Sequence, residues 1–263
     1  YLFHQYAIHF PEGKQRGGYL AFFGFDIAAL AGALFMQAAL EVCPVEPAPK
    51  VEAHFAADPV YYNEGHGSVT LRRSMEKDKE STLNTDKRKT VFGVTTSITE
   101  SNFRVSFKTM TDSRGNQCLY VDKAVFWITY KPAVFVSKDI IDLPCSLAVT
   151  RAHEAEHVRI DIEAIQEYLP QIQIEMMQYL RALGYQGFGP YKQGEMEKHQ
   201  QRLLQEIVAA SKPMAERLRE ARRKRQGIID TPENYRREAE KCPQDRDAIK
   251  NRFYAAPPVN ARP

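Results

Sequence analysis

His153, Glu154 and His157 stand in the order H-E-x-x-H within Arg151-Ala-His-Glu-Ala-Glu-His-Val-Arg-Ile-Asp161. On a helix, residues four apart lie about 40° apart around the axis, so both imidazoles can reach one cation from one face. Glu154 follows roughly 100° further round, which sets its carboxylate beside that cation rather than on it. Two imidazoles and an adjacent carboxylate are the parts needed to hold Zn²⁺ and to take a proton from water activated there. The other reading of the same residues is a solvated or hydrogen-bonded histidine pair.

A catalytic zinc needs a third protein ligand and an open position. Asp161 is on the same helix, but eight residues from His153 is about 12 Å of rise. It is expected to orient His157 from behind rather than to bind the metal. The chemically suitable residues further on are Glu195, His199, Glu216, Glu220, Asp230, Glu233 and Tyr235. Folding a long later helix back on the first puts rows near 216–222 and just beyond opposite the histidines. This favours the C-terminal carboxylates over His199.

The elements that must position these groups are legible in outline. Ala155, Val158, Ile162, Ile165 and Leu169 form a helical stripe roughly opposite the histidines, and Val149, Ile160 and Ala164 flank the histidines themselves. Ser146 is the expected N-cap of this helix. Pro170 is expected to kink or break it near Leu169, leaving a second segment over 171–183. A turn-rich stretch, 184–190, precedes a long helix over 193–225 that ends in Arg222-Arg-Lys-Arg225. Thr231 and Pro232 mark a further helix start.

Before the zinc helix, residues 90–137 alternate like strands, with Phe103, Val105 and Phe107 on one face. Short strands at 90–98, 102–110, 118–130 and 133–136 predict an antiparallel meander. The last of them, next to the zinc helix in sequence, is the expected edge for an extended peptide. Trp127 is expected in the core. Residues 51–90 are polar, with Gly65-His-Gly67 as a turn and a charged run, Glu76-Lys-Asp-Lys-Glu80, that reads as a solvated loop. The fold class is therefore α+β and zincin-like: a β part over 51–142, then an H-E-x-x-H helix and an antiparallel helical region over 146–254.

The chain has 263 residues and a net charge of +3, which gives no general argument for nucleic acid. Lys14 and Arg16 precede an apolar run over 18–42, so residues 1–43 read as a signal peptide or membrane anchor despite Asp26. Residues 44–50 are proline-rich and read as a stiff linker; residues 255–263 read as a disordered tail. The four cysteines, Cys43, Cys118, Cys145 and Cys242, have no C-x-x-C spacing. In an exported chain they suggest disulfides, with Cys118–Cys145 the expected pair.

The order of parts resembles a bacterial domain-of-unknown-function family of predicted exported zinc peptidases. The resemblance spans roughly residues 88–240 and rests on a mid-sheet cysteine (Cys118), Leu143-Pro144 and then His153–His157. A later motif of that family, Tyr-Asp-x-x-Thr-x-His-Gly, falls on Ile229-Asp230-Thr-Pro-Glu-Asn-Tyr235-Arg. Asp230 matches the aspartate and is the expected third ligand; Tyr235 stands where the family has histidine. The resemblance implies a zinc peptidase outside the cytoplasm, periplasmic or secreted. The expected mechanism is peptide-bond hydrolysis by a zinc-bound water with Glu154 as general base, and Tyr235 or an arginine as donor to the oxyanion. The rival expectation is an inactive zincin-like cell-envelope binding or scaffold protein.

Overall fold

The computed structural model describes residues 4–9, 43–77, 90–111 and 115–254. Its spine is a long hairpin of β4 (Gly93–Thr111) and β5 (Asn116–Val136). The four short strands expected here are halves of these two. Pro132 does not end β5. Along the side of β5 away from β4, β6 (Phe188–Lys192), β2 (Lys50–Ala57) and β3 (Tyr61–Asn63) pair in succession. Pro132 falls in the gap between Tyr130, which pairs with Ala57, and Ala133, which pairs with Tyr61, where fewer ladder bonds are at stake.

The sheet is mixed, and the expected antiparallel meander is corrected accordingly. β4–β5 and β5–β6 are antiparallel, but β2 and β3 run parallel to β5. Those two strands, and helix α1 (Ser68–Lys77), come from the polar stretch before residue 90; α1 takes in the first two residues of the charged run expected to be loop, and 78–80 lie outside the described residues. The outer edge of β4 is paired at residues 102–107 with β1 (His4–His9). Among the described residues, 93–101 have no strand partner on that side. Residues 133–136, by contrast, belong to a strand paired with both β4 and β3, so they are not the free edge.

One face of the sheet is covered by two long helices, α2 (Pro144–Leu183) and α3 (Met196–Ile229). Two short helices follow, α4 (Pro232–Glu240) and α5 (Arg246–Phe253). Phe103, Val105, Phe107, Ile128 and Val134 pack from the sheet against Ile165, Ile172, Met176 and Leu180 of α2 and Leu203, Ile207 and Leu218 of α3. Trp127 lies outside this core, only partly buried, with the His54 ring stacked on it at 5.2 Å and the Arg104 guanidinium 5.2 Å from its centre.

Pro170 does not break α2, because it sits on the exposed face. The carbonyl that loses its N–H partner there is that of exposed Gln166, which water can serve. Pro213 is tolerated in α3 on the same terms. Nor is Ser146 the N-cap. Leu143 occupies that position and Pro144 the first turn, while the Asp245 carboxylate accepts both the Ser146 N–H (2.8 Å) and its hydroxyl (2.8 Å). A carboxylate brought from far along the chain thus serves the exposed amide end of the helix.

The cysteines pair as Cys43–Cys118 and Cys145–Cys242. The expected Cys118–Cys145 bond is ruled out by geometry: Cys118 opens β5, whereas Cys145 opens α2 beyond the strand's far end. About 60 Å of extended strand separates those ends, against the ~7 Å limit between bridged Cα atoms. Cys43 also ties the proline-rich stretch to the sheet. Pro49 is buried, Tyr120 donates to the Pro44 carbonyl at 2.9 Å, and Lys108 pairs with Glu46 at 2.6 Å. Residues 44–50 are therefore docked rather than a free linker. Two disulfides indicate an oxidising, exported environment. Among the described residues no helix is long and apolar enough to cross a membrane. The apolar run 18–42 and the tail 255–263 lie outside the described residues.

Ile165 and Ile207 are fully buried in the helical layer. Replacing either by alanine should lower unfolding free energy by about 2–5 kcal/mol, measured by urea denaturation with the disulfides intact. An unchanged midpoint would contradict this packing.

Candidate metal centre

Beyond Ser146 in the first turn, the buried residues of α2 run His153, Glu154, His157, Val158 and Asp161 and continue as Ala164, Ile165, Ile172, Met176 and Leu180. This is one helical stripe, polar at its start and apolar further on. The stripe expected opposite the histidines is corrected, since Ala155 is exposed and the histidines themselves face inward. His153, Glu154, His157 and Asp161 are only 5–8 % exposed. Ionisable groups buried this far need partners.

α3 supplies them by running antiparallel to α2. Exposed ion pairs of Glu175 with Arg217 and of Glu167 with Arg225 mark the register. On the inward side, direct hydrogen bonds set Arg222, Gln226 and Asp230, spaced four apart, alongside Asp161, His157 and His153. Asp230 is the first residue beyond α3, held in the turn into α4. The Thr231 hydroxyl caps α4 by accepting from Asn234 N–H at 3.2 Å. The Asn234 side chain donates back to the last carbonyls of α3, Ile228 (3.2 Å) and Ile229 (3.1 Å). The start at Thr231 and Pro232 is therefore as expected from the sequence.

Three atoms converge. His153 Nε2 and His157 Nε2 lie 3.1 Å apart, and Asp230 Oδ1 lies 3.4 Å from the first and 3.1 Å from the second. A tetrahedral zinc with bonds near 2.0–2.1 Å separates its ligands by about 3.3–3.4 Å. The outer ring nitrogens are both committed. His153 Nδ1 donates to Glu238 Oε1 at 3.1 Å, and His157 Nδ1 donates to Gln226 Oε1. A neutral histidine with its proton on Nδ1 presents a lone pair at Nε2. Two such lone pairs and a carboxylate oxygen then face one another, an arrangement that a proton or a metal cation between them would relieve. A proton can serve one edge of this triangle; a metal ion serves all three corners.

The electrostatics agree. Burial opposes a charge on His153, but the Asp230 hydrogen bond and the Glu154 and Glu238 carboxylates outweigh it and raise its pKa to about 9. His157 is raised against the same opposition of burial, by Asp230 above all. Burial would raise Asp230, yet both histidines and the Tyr235 hydroxyl hold it well below the usual carboxylate range. The cluster attracts positive charge, and a metal binding there must displace protons.

Glu154 turns from the triangle toward β4. Burial pushes its carboxyl upward, opposed by the charge on His157 and by the Thr95 hydroxyl, which donates to Oε2 at 2.7 Å. Its other oxygen lies against Gly93, where a Cβ would sit 2.3 Å from Oε1 and 2.7 Å from Cγ. A cavity of about 450 Å³ opens beside His153 between α2 and α4, walled by Val149, Ala152, Glu156, Asn234 and Glu238.

Of the sequence-predicted residues, the structure brings together His153, Glu154, His157, Asp230 and Tyr235. The Tyr235 hydroxyl donates to Asp230 Oδ1 at 2.5 Å, and its ring packs 5.3 Å from that of His153. Asp161 reaches His157 only through Gln226. The other ligand candidates lie elsewhere. His199 stacks on Tyr191, and Glu216 and Glu220 pair with Arg219 and Arg223 on the outside of α3. Sequence reasoning missed Gly93, Thr95, Arg222, Gln226 and Glu238. For two of them a signal existed, the four-residue spacing of Arg222, Gln226 and Asp230.

Compared with family models, with curated proteins and with solved structures, the chain finds no match.

Gly93→Ala should force Glu154 and Thr150 aside and destabilise the protein by about 1–3 kcal/mol. Urea midpoints for wild type and variant measure this. Equal midpoints would mean that the Glu154 pocket is not packed as described.

Proposed function

We propose that this protein is a zinc-dependent metallopeptidase acting outside the cytoplasm, of the kind its sequence resembles. The observation that supports this best is the triangle of His153 Nε2, His157 Nε2 and Asp230 Oδ1, with both outer ring nitrogens already hydrogen-bonded. Its donor set, two imidazoles and one carboxylate, matches a catalytic zinc site with one position left for water or substrate. When bound, zinc would supply an activated water and polarise the scissile carbonyl.

The chain's own residues divide the remaining work. Glu154, next to the two ligands and held by Thr95, takes the proton and passes it to the leaving amine. Burial, which pushes its carboxyl upward, favours uptake of a proton there. Tyr235, whose single hydroxyl proton goes to the Asp230 oxygen here, would turn that proton to a developing oxyanion beside the ligands. Among the described residues no strand pairs with the outer side of β4 at residues 93–96, beside Glu154, and the backbone groups there suit an extended peptide. Export through the apolar segment 18–42, as signal or anchor, accords with the two disulfides.

A second reading has its own support. All three ligand side chains are at most one-tenth exposed, as in closed structural zinc sites. On that reading the metal only braces α2 against α3 and α4 in a cell-envelope binding protein.

Zinc analysis of purified protein, beside assays on a fluorogenic peptide library, separates these. The peptidase reading expects about one zinc per chain, lost in His153→Ala and in Asp230→Ala. Glu154→Gln should keep the zinc while hydrolysis falls by about 100-fold or more. Zinc present in a wild type that cleaves nothing would favour the bracing role. No zinc in the supplemented wild type would overturn both.

A further inference from the structure

We propose that Gln226 and Arg222 are positioning residues for the metal ligand His157, acting as a relay that starts on β4. The inference deepens the metal reading above and rests on it.

The relay is fixed by hydrogen-bond bookkeeping. The Gln226 side-chain nitrogen donates to two acceptors, the His157 carbonyl at 2.9 Å and Asp161 Oδ1 at 2.7 Å. A flipped amide would set its oxygen against both of these oxygens, so its orientation is determined. The amide oxygen therefore meets His157 Nδ1, and that nitrogen must carry the ring proton. The lone pair of His157 is thereby left on Nε2, aimed at His153 Nε2 and Asp230 Oδ1. Gln226 holds its histidine at two points, ring and backbone, which fixes the ring's position as well as its tautomer.

Gln226 is held in turn by Asp161, and Asp161 by Arg222. The guanidinium grips both carboxylate oxygens, Nε to Oδ1 at 3.1 Å and Nη2 to Oδ2 at 2.6 Å. Tyr130 donates to Oδ2 at 3.0 Å. With burial and the Asp161 charge both pushing its hydroxyl upward, Tyr130 stays a donor. The far side of Arg222 is anchored on β4, at Thr99 Oγ1 (2.6 Å) and Ser97 Oγ (2.9 Å), with its guanidinium 5.4 Å from the Tyr130 ring centre. Only a planar fork makes these contacts together. A lysine would keep the charge and lose the two-point grip. The same strand holds Glu154 through Thr95, so β4 sets one ligand and the general base at once.

The test uses the full chain, in Zn²⁺ titrations against a chromophoric chelator and in Co²⁺ spectra of Gln226→Leu and Arg222→Lys. Arg225→Ala, which removes an exposed ion pair of the same helix, is the comparison for mere helix perturbation. Gln226→Leu should raise the Zn²⁺ Kd roughly 10–100-fold and change the ligand-field bands of bound Co²⁺. Arg222→Lys should move both readouts the same way, and Arg225→Ala neither. If the leucine variant does not fold, judged by circular dichroism, the lysine variant decides. Wild-type Kd and wild-type Co²⁺ spectra in the folded variants would overturn the relay. A wild type that binds neither metal would overturn the metal reading and the relay with it, and it is recognised because the failure is in the wild-type arm.

Discussion

The structure depends on the burial of four ionisable side chains in one stretch of one helix. His153, Glu154, His157 and Asp161 lie on the inward face of α2, where an apolar stripe would ordinarily run. Each would be strongly destabilising without a partner, and each has one from a different part of the chain. Glu238 of α4 serves His153, Thr95 of β4 serves Glu154, Gln226 of α3 serves His157, and Arg222 of α3 with Tyr130 of β5 serves Asp161. The inner nitrogens of the two histidines then face each other and the Asp230 oxygen that also accepts from Tyr235. The site is thus the remainder after the burial problem has been solved everywhere else.

This constraint explains features that otherwise look unrelated. α4 buries none of its residues, yet it carries Tyr235 and Glu238. What fixes it is the cap at Thr231, the contacts to the site, and the Cys145–Cys242 bond, which ties the chain just past α4 to the first turn of α2. On the sheet, alternation puts Thr95, Ser97 and Thr99 toward the helices and leaves Thr96 and Ile98 exposed. The half of β4 that meets the polar start of α2 is therefore hydroxyl-rich. Its other half, with Phe103, Val105 and Phe107, joins the apolar core.

Local patterns were the legible part of the sequence. The H-E-x-x-H helix, the alternation through Phe103, Val105 and Phe107, and the cap at Thr231 all depend on residues within a turn or two of one another. Asp230 was reachable because an antiparallel helix pair has a simple register. The misreadings are non-local. Parallel pairing of β2 and β3 with β5 leaves no turn residue to announce it, so the polar stretch 51–90 showed no pairing partner. Cys118–Cys145 was close in sequence but spans the length of a strand. Pro170 looked like a break because solvent exposure of its face cannot be read from the proline itself. Gln226 and Glu238 are ordinary polar residues on helices, and only the folded-back helices reveal that each faces a histidine.

In the proposed site, His153, His157 and Asp230 would hold one metal ion through two imidazole nitrogens and one carboxylate oxygen. X-ray absorption at the zinc edge of the zinc-loaded protein tests it most directly. The proposed site should give a first shell of nitrogen and oxygen at about 2.0–2.1 Å, with the outer-shell scattering of two imidazoles and no sulfur. A shell containing sulfur, or one with a single imidazole or none, would contradict it.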